Sequence, residues 1–153
     1  DVCSSDLDLR DRDAAALAEI RETHRQEIRR IQFEQFLFFS QWKALVAYAH
    51  EKGVSIIGDI PIYINYDSVD TWSHPEIFKL DEAKKPVFVS GVPPDYFSET
   101  GQLWGNPVYD WDAIRAHHFS WWTERMTHIF ALYDFVRIDH FRGFCACWEV
   151  PAT

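Results

Sequence analysis

The chain has 153 residues, which is enough for one domain with a hydrophobic core, and 47% of them are apolar, which argues against disorder of the whole chain. The formal net charge is −9 at pH 7. Nucleic acids and anionic membranes require a basic surface, so we expect neither as a partner. A neutral ligand is compatible with this charge.

Cysteine content and hydropathy narrow the expected compartment. Cys3, Cys145 and Cys147 are too few for a disulfide framework, so a reducing compartment such as the cytoplasm is expected. No apolar run reaches the roughly 18 residues of a membrane-spanning helix. No basic-then-apolar signal peptide opens the chain.

The first third of the chain predicts a long helical region. Residues 1–7 follow no pattern, and we predict a non-native or disordered terminus, with a ragged natural terminus as the alternative. Residues 13–51 contain neither Gly nor Pro, and their apolar side chains recur at helical spacing. Asp13 is the expected N-cap, and Gly53 is the expected residue after the C-cap. Because about 40 residues is long for one globular helix, we expect a break near Arg30–Phe33.

The rest of the chain alternates between apolar runs and helical periodicity. Residues 54–64 form a β-branched apolar run, which predicts a strand buried on both faces. Residues 65–110 are rich in turn formers and are expected to form a long functional loop. Residues 112–132 return to helical spacing, and residues 135–139 form a second short apolar strand. This order of elements is typical of an α/β fold with a parallel sheet.

Arg137 and Asp139 lie at the end of the second predicted strand, two positions apart and therefore on one face. Burying both charges without partners would be costly, so we expect the two side chains to pair, with Arg137 holding Asp139 ionised. An ionised, positioned carboxylate is what a retaining glycosidase uses as its nucleophile. A structural ion pair that fixes strand register explains the spacing equally well.

Asp59 is a second acidic candidate. It follows Gly58 on the first predicted strand, where an unpaired carboxylate would be destabilising. It could contact a sugar hydroxyl or support Arg137. From the residues alone, a turn or cap role for this aspartate is favoured over a functional one.

Three aromatic residues, Tyr96, Phe97 and Trp104, lie in a Gly- and Pro-rich segment outside any periodic element. Exposed aromatic rings suit the apolar faces of sugars, and Gln102 and Asn106 offer polar groups to sugar hydroxyls. The alternative is a loop that folds its aromatic rings onto the domain.

Metal and nucleotide chemistry find little support. Cys145 and Cys147 have no second cysteine pair at zinc spacing, and His117 and His118 are adjacent on a predicted helix and so face apart. Glu149 is an acid on a later element whose neighbours favour a structural role. The chain has no P-loop, no dinucleotide-binding glycine motif and no nucleophile elbow. We therefore expect no metal and no cofactor.

Three ordered motifs resemble one known family. Residues 58–63, residues 91–107 and residues 136–143 together closely resemble the 4-α-glucanotransferase family, which includes amylomaltase and plant disproportionating enzyme and is related to the α-amylases. The resemblance covers essentially the whole chain except its first residues. It implies that residues 8–153 are a fragment of a catalytic (β/α)₈ TIM barrel, with about two βα units and a long substrate-binding loop. A whole barrel of this kind needs ~250 residues.

The resemblance also implies an activity, the transfer of α-1,4-glucan segments to a sugar acceptor by a retaining, two-step mechanism. Asp139 resembles the nucleophile that forms the glycosyl-enzyme. The residues that resemble substrate contacts are Asp59, Tyr96, Phe97, Gln102, Trp104, Arg137 and His140. The loop among them is implied to cover the glucan and exclude water, which favours transfer over hydrolysis. No protein partner is implied, and the implied location is the cytoplasm, or the plastid in a plant.

The chain departs from the family pattern in two respects. Cys145 and Cys147 occupy positions where the family does not rely on cysteine. The family's acid/base Glu and its third catalytic Asp are expected beyond Thr153, so we expect this chain by itself to be inactive, with open strand edges and open apolar helix faces. An α-amylase-type hydrolase and a non-catalytic glucan-binding module are the alternative functions.

Overall fold

The computed structural model describes residues 7–152 of the chain, which fold into helices and short strands. The helices are α1 (Leu7–Arg10), α2 (Ala14–Thr23), α3 (Arg25–Glu51), α4 (Val69–Ser73), α5 (Trp111–Ala116) and α6 (Ser120–Phe130). The strands are β1 (Ile57–Ile60), β2 (Phe88–Val92), β3 (Gln102–Pro107), β4 (Phe135–Ile138) and β5 (Trp148–Pro151), with 3₁₀ turns at Pro75–Ile77 and Phe141–Phe144. The chain is therefore an α/β protein, as predicted. Of the predicted terminus of residues 1–7, the first six lie outside the described residues, and Leu7 begins α1.

The chain divides into two units. The first unit comprises Asp1–Ile56 together with Leu132–Phe135. The second unit comprises Ile57–Ala131 together with Val136–Thr153.

Helices α2 and α3 of the first unit begin and end close to the predicted positions, but the break between them does not. The Asp13 side chain accepts hydrogen bonds from the backbone N–H groups of Ala15 and Ala16, which confirms its role as N-cap. Gly53 has a φ of +69°, the left-handed conformation of a residue that follows a helix. The predicted break near Arg30–Phe33 is wrong, because the helices part at His24.

The far end of α3 contacts the segment 132–135 within the first unit. Trp42 donates its indole N–H to the carbonyl oxygen of Leu132 at 2.9 Å. The Asp134 carboxylate accepts a 2.8 Å hydrogen bond from the Ile56 N–H and lies 2.9 Å from His50 Nε2. These hydrogen bonds lower the pKa of Asp134, with the backbone N–H as the largest cause.

Helix α3 buries none of its 27 residues. Phe33, Phe36 and Phe38 are all more than half exposed, in agreement with the expected open apolar helix face. In the part of the chain that the structure describes, no helix is both long enough and apolar enough to cross a membrane.

The core of the second unit is built around aromatic rings. Tyr109 is 1% exposed, and its hydroxyl donates a 2.6 Å hydrogen bond to the carbonyl oxygen of Ile62. The buried residues that pack with it are Ile62, Ile64, Ile77, Phe78, Ile114, Trp121 and Trp122. The core therefore joins the segment after β1 to the helices α5 and α6.

Strand β1 is shorter than predicted, and it is buried on one face only. It pairs with β4 and ends at Ile60, since Pro61 has no N–H to continue a ladder. The expected burial on both faces is wrong for β1, since Ile57 is 69% exposed. The burial of β1 alternates along the strand, so its second face is not covered by the described residues.

The predicted loop of residues 65–110 contains α4, β2 and β3, which its high content of turn-forming residues did not indicate. Strand β2 pairs antiparallel with both β3 and β5. Gly91 in β2 has no room for a side chain, because a Cβ there would lie 2.7 Å from the carbonyl oxygen of Gln102. Gly91 therefore serves a close approach of two backbones within a sheet, although its residue type by itself favours a loop.

The predicted helix of residues 112–132 is divided into α5 and α6. His118 and Phe119 between them have φ values of +54° and +56°, in the left-handed region that ends a helix. Neither residue is Gly or Asn, so the sequence carried no signal for this break.

Candidate functional site

The two strands of the β1–β4 sheet bring Asp59 and Arg137 together. Arg137 donates Nε–H to Asp59 Oδ1 at 3.1 Å and Nη2–H to Asp59 Oδ2 at 2.5 Å, a bidentate arrangement. The hydrogen bonds from Arg137 lower the pKa of Asp59, and the same bonds raise the pKa of Arg137. Both side chains are more than half exposed, so solvent screens the pair, and its main effect is orientation.

The expected pairing of Arg137 with Asp139 is therefore wrong in its partner. The guanidinium is oriented by the carboxylate on the neighbouring strand, and the charge of Asp139 only adds to the rise in the pKa of Arg137. The proposed support of Arg137 by Asp59 is confirmed. Arg137 pairs with Asp59 on the neighbouring strand and not with Asp139, because a bidentate contact needs two side chains that face each other.

Asp139 lies directly after β4, at the point where the backbone turns. Its Oδ1 atom accepts a 2.8 Å hydrogen bond from the N–H of His140, and its Oδ2 atom lies 3.9 Å from His140 Nε2. The Asp139 side chain is 59% exposed. It is thus an oriented carboxylate that a ligand can reach.

His140 contacts the aromatic residue of a distant motif. It adopts a φ of +50°, which ends the extended backbone of β4 and turns the chain into the 3₁₀ turn Phe141–Phe144. Its ring centroid lies 4.5 Å from that of Trp104. The structure therefore joins residues 136–143 and residues 91–107, which sequence analysis had identified separately.

Strand β3 presents the polar partner of Trp104. The indole N–H of Trp104 donates a 2.9 Å hydrogen bond to Gln102 Oε1, so the two side chains share one face of β3. Asn106 instead donates its side-chain amide to Ile64 O and Asn65 Oδ1, both at 3.1 Å. Its amide hydrogens are thus used inside the second unit, and Asn106 anchors β3.

Tyr96 and Phe97 lie at the tip of the connection between β2 and β3. The two rings meet edge to face at 5.8 Å and are 98% and 89% exposed. The Asp95 carboxylate shapes this tip by accepting 2.9 Å hydrogen bonds from the N–H groups of Phe97 and Ser98. The prediction of exposed aromatic rings is confirmed for Tyr96 and Phe97, whereas Trp104 is half-buried.

Tyr63 is a residue of this region that the sequence analysis did not single out. It follows β1, is half buried, and its ring centroid lies 5.7 Å from that of Trp104. Burial raises its pKa above the usual tyrosine value, and a hydrogen bond with Cys147 raises it further. Its place in the motif of residues 58–63 was the one available signal.

The weaker candidates have structural partners or form no cluster. Glu149 accepts hydrogen bonds of 2.7 and 2.9 Å from the Lys79 ammonium group, which ties β5 to the segment before β2. Cys145 and Cys147 are free thiols. Among residues 7–152, no group of three or more His, Cys, Asp or Glu side chains is placed to hold a metal ion.

Comparisons with known proteins agree on one family. The sequence profile of a family described as 4-alpha-glucanotransferase matches residues 4–153. A 4-alpha-glucanotransferase of Aquifex aeolicus is 59% identical over 119 residues, which are 78% of this chain and 24% of that protein. One of Thermus thermophilus is 52% identical over 96% of this chain and 29% of its own length, and a chloroplastic/amyloplastic one of Solanum tuberosum is 49% identical over 94% and 25%.

A solved structure agrees with these sequence matches. An amylomaltase from Streptococcus agalactiae in complex with acarbose superposes with a TM-score of 0.94 at 43% identity, over 99% of this chain and 31% of that chain. The chain therefore spans less than a third of the length of each of these proteins.

Proposed function

The chain belongs to the 4-alpha-glucanotransferase family, and on that premise we propose that it is part of a longer protein that transfers α-1,4-glucan segments to a sugar acceptor. The observation that supports this proposal best is the contact between the rings of Trp104 and His140, whose centroids lie 4.5 Å apart, next to Asp139 in the chain. It sets an aromatic ring, which suits the apolar face of a sugar, next to an oriented and accessible carboxylate.

In this proposal the second unit is part of a (β/α)₈ barrel. Strands β1 and β4 carry Asp59, Arg137 and Asp139 at or near the ends from which the chain continues into loops. Functional side chains of such barrels lie at the C-terminal ends of the strands. The exposed second face of β1 would be covered by barrel segments that these 153 residues do not contain.

Asp139 is the proposed nucleophile. Its side chain is exposed, and the N–H of His140 orients it without neutralising it. Attack by a carboxylate oxygen on the anomeric carbon forms a glycosyl-enzyme and breaks the bond to the leaving sugar, and an acceptor hydroxyl then takes the place of the enzyme. Each step inverts the anomeric configuration, so that the two steps together retain it.

The proposed substrate contacts divide by chemistry. Asp59 and Arg137 offer charged groups to sugar hydroxyls, in an orientation that each fixes for the other. Trp104 and His140 offer rings, with Gln102 held beside Trp104. Tyr96 and Phe97 are the exposed rings of the loop that would cover the glucan and keep water from the glycosyl-enzyme.

Asp59 is unsuited to act as the general acid, which retaining chemistry also requires. Both of its oxygens bind the Arg137 guanidinium, and its pKa is lowered, so it stays ionised at neutral pH. The two carboxyl groups of a retaining enzyme lie about 5–5.5 Å apart. The resemblance to the family implies an acid/base Glu and a third catalytic Asp, which we assign to the remainder of the longer protein, and we predict that these 153 residues alone are inactive.

The test is Asp139→Asn in the longer protein, with maltoheptaose as donor and acceptor. The carboxamide keeps the shape and lacks the nucleophilic charge, so we expect transfer to fall by roughly 10³-fold or more while the Kd for maltoheptaose changes little. The redistribution of glucan lengths, measured by chromatography, gives the rate. Asp67→Asn, at an exposed position of the second unit, is the matched control and should retain transfer.

The products of this experiment also separate the alternatives. Transfer gives both longer and shorter glucans, whereas an α-amylase-type hydrolase gives shorter ones only. Binding without any change in glucan length would identify a non-catalytic glucan-binding module. Normal redistribution by the Asp139→Asn variant would show that Asp139 is not the nucleophile.

The proposed location is the cytoplasm, or the plastid if the source is a plant. The relative from Solanum tuberosum is described as chloroplastic/amyloplastic. Fractionation of the source cells, with the protein detected by antibody, tests this placement.

A further inference from the structure

Tyr63 contacts residues 91–107 through Trp104 and residues 136–143 through Gly143. It lies between Ile62 and Ile64, which are buried in the core at 1% and 9% exposure. Its backbone is therefore held by the core on both sides, while its half-buried ring extends from it. A side chain mounted in this way is a rigid spacer.

The first contact of Tyr63 is with strand β3. Its ring centroid lies 5.7 Å from that of Trp104 and 6.4 Å from that of Tyr109, the central residue of the core. Tyr109 is almost completely buried. Tyr63 thus connects Trp104, at the site, to a ring that cannot move without disrupting the core.

The second contact is with the turn that follows Asp139. Gly143 is buried in this turn, and a Cβ atom built on it would lie 2.9 Å from the Tyr63 hydroxyl oxygen and 2.7 Å from Ile62 Cδ1. Such separations are shorter than van der Waals contact, so the backbone of Gly143 approaches Tyr63 as closely as a glycine allows. The turn therefore packs directly against both the tyrosine hydroxyl and the Ile62 side chain.

The two contacts have a joint consequence for His140, which lies three residues before Gly143 and rests on Trp104. The N–H of Gly143 donates a 2.8 Å hydrogen bond to the carbonyl oxygen of His140, so the turn moves as one piece. The 4.5 Å contact between His140 and Trp104 therefore depends on the spacing that Tyr63 maintains between the turn and β3.

We infer that Tyr63 is a positioning residue, which sets the distance between the Asp139–Gly143 turn and Trp104 without touching the glucan itself. The catalytic consequence of this inference rests on the proposed function. Its geometry rests only on the contacts of Tyr63. Loss of the spacer should allow the turn to shift, and a shift of about 1 Å at a reacting group can lower a rate on the order of 100-fold.

The experiment compares Tyr63→Leu with the unaltered longer protein by two measurements. We expect kcat for maltoheptaose disproportionation to fall about 10- to 100-fold, with KM changing less, since Asp139 and His140 are misplaced while Asp59, Arg137, Tyr96 and Phe97 keep their positions. In parallel, histidine-selective ¹³C labelling should show the His140 ring resonance moving as the ring leaves Trp104. Tyr48→Leu, at an exposed site on α3, is the control and should change neither measurement.

A second pair of variants tests the same contact if Tyr63→Leu does not fold. Gly143→Ala pushes a methyl group against both the Tyr63 hydroxyl and Ile62 Cδ1, and it should lower kcat. Tyr63→Phe removes that hydroxyl while keeping the ring, so the loss caused by Gly143→Ala should be smaller in the Tyr63→Phe background, where the contact with Ile62 remains. Equal losses in both backgrounds would mean that the hydroxyl does not set the position of the turn.

The outcomes distinguish this inference from the proposed function. A folded Tyr63→Leu variant whose His140 resonance is unmoved overturns the positioning role, whatever its activity. A moved resonance with an unchanged kcat also overturns it, because the spacing would then not matter for transfer. No transfer by the unaltered protein would instead refute the proposed function, and the His140 resonance would still test the geometry.

Discussion

Helix α3 and the core around Tyr109 both contain aromatic side chains, but none is buried on α3, whereas those of the core are buried. Phe36 on α3 is 64% exposed, and no residue of this helix is buried. Tyr109 is 1% exposed and lies within 6 Å of four other aromatic rings. Aromatic content therefore does not decide burial in this chain: α5 and α6 cover Tyr109, whereas the described residues leave Phe36 mostly exposed.

The largest expected effect is the loss of the core ring. Tyr109→Ala removes a side chain that contacts Phe78, Trp121 and Trp122, and it leaves a cavity that a packed core fills only in part. We expect the free energy of unfolding to fall by about 3–5 kcal/mol. Urea unfolding monitored by tryptophan fluorescence measures it.

Tyr48→Ala on α3 is the matched control for this substitution. Tyr48 is 58% exposed, so we expect its loss to cost within about 0.5 kcal/mol. Similar losses for the two variants would contradict the contrast between the regions. Tyr109→Phe refines the test, since it leaves Ile62 O without its donor and should cost about 1–2 kcal/mol.

A smaller effect is expected from Asp134, whose carboxylate joins the end of α3 to the segment before β1. The pKa of Asp134 is lowered in the folded protein, first by the hydrogen bond from the Ile56 N–H and then by the bond from His50. Its stabilising contribution is thus present above the unfolded pKa of about 4 and is lost as the pH falls through the lower folded value. Asp134→Asn should flatten the decrease in stability within this acid range.

The measurement for Asp134 is the free energy of unfolding as a function of pH, with Glu19→Gln on α2 as a control acid. Hydrogen exchange at the Ile56 amide should also accelerate in the Asp134→Asn variant, because the carboxylate that accepts this hydrogen bond becomes a weaker acceptor. An unchanged pH dependence together with unchanged exchange would show that the first unit does not rely on this carboxylate.

Local chemistry could be predicted from the sequence, and long-range register could not. The capping role of Asp13 and the left-handed Gly53 follow from neighbouring residues, and both were found as predicted. The partner of Arg137 lies 78 positions away, and it depends on how β1 and β4 align. Nothing within either strand specifies that alignment, so the same-strand residue Asp139 was the natural but incorrect choice.

The sequence suggests the candidate site residues one by one, but it does not show which of them contact one another. Trp104 and His140 were each expected to contact substrate, but their mutual contact depends on the positive φ of His140. A non-glycine residue in that conformation has no reliable sequence signal. The inferred role of Tyr63 cannot be predicted from the sequence for a related reason. It depends on the short distance between Tyr63 and Gly143, which are 80 positions apart in the chain.

The smallest expected effect on stability is at the exposed aromatic residues of α3, the region in which aromatic rings are not buried. Phe33 and Phe36 are three residues apart on one helix face and are 58% and 64% exposed. Replacing both by Gln should change the free energy of unfolding by only about 0.5 kcal/mol and should reduce self-association, which sedimentation velocity measures. Gln32→Ser on the same helix is the control and should leave association unchanged.

A larger stability loss would be the more informative failure. If the variant with Gln at positions 33 and 36 lost more than about 1 kcal/mol, the two rings would have to be buried in solution by an element that the described residues do not include. The same loss in the longer protein, combined with its absence in the isolated chain, would locate that element in the remainder of the protein. The contrast between α3 and the Tyr109 core would then reflect which segments are present and not any property of the helix itself.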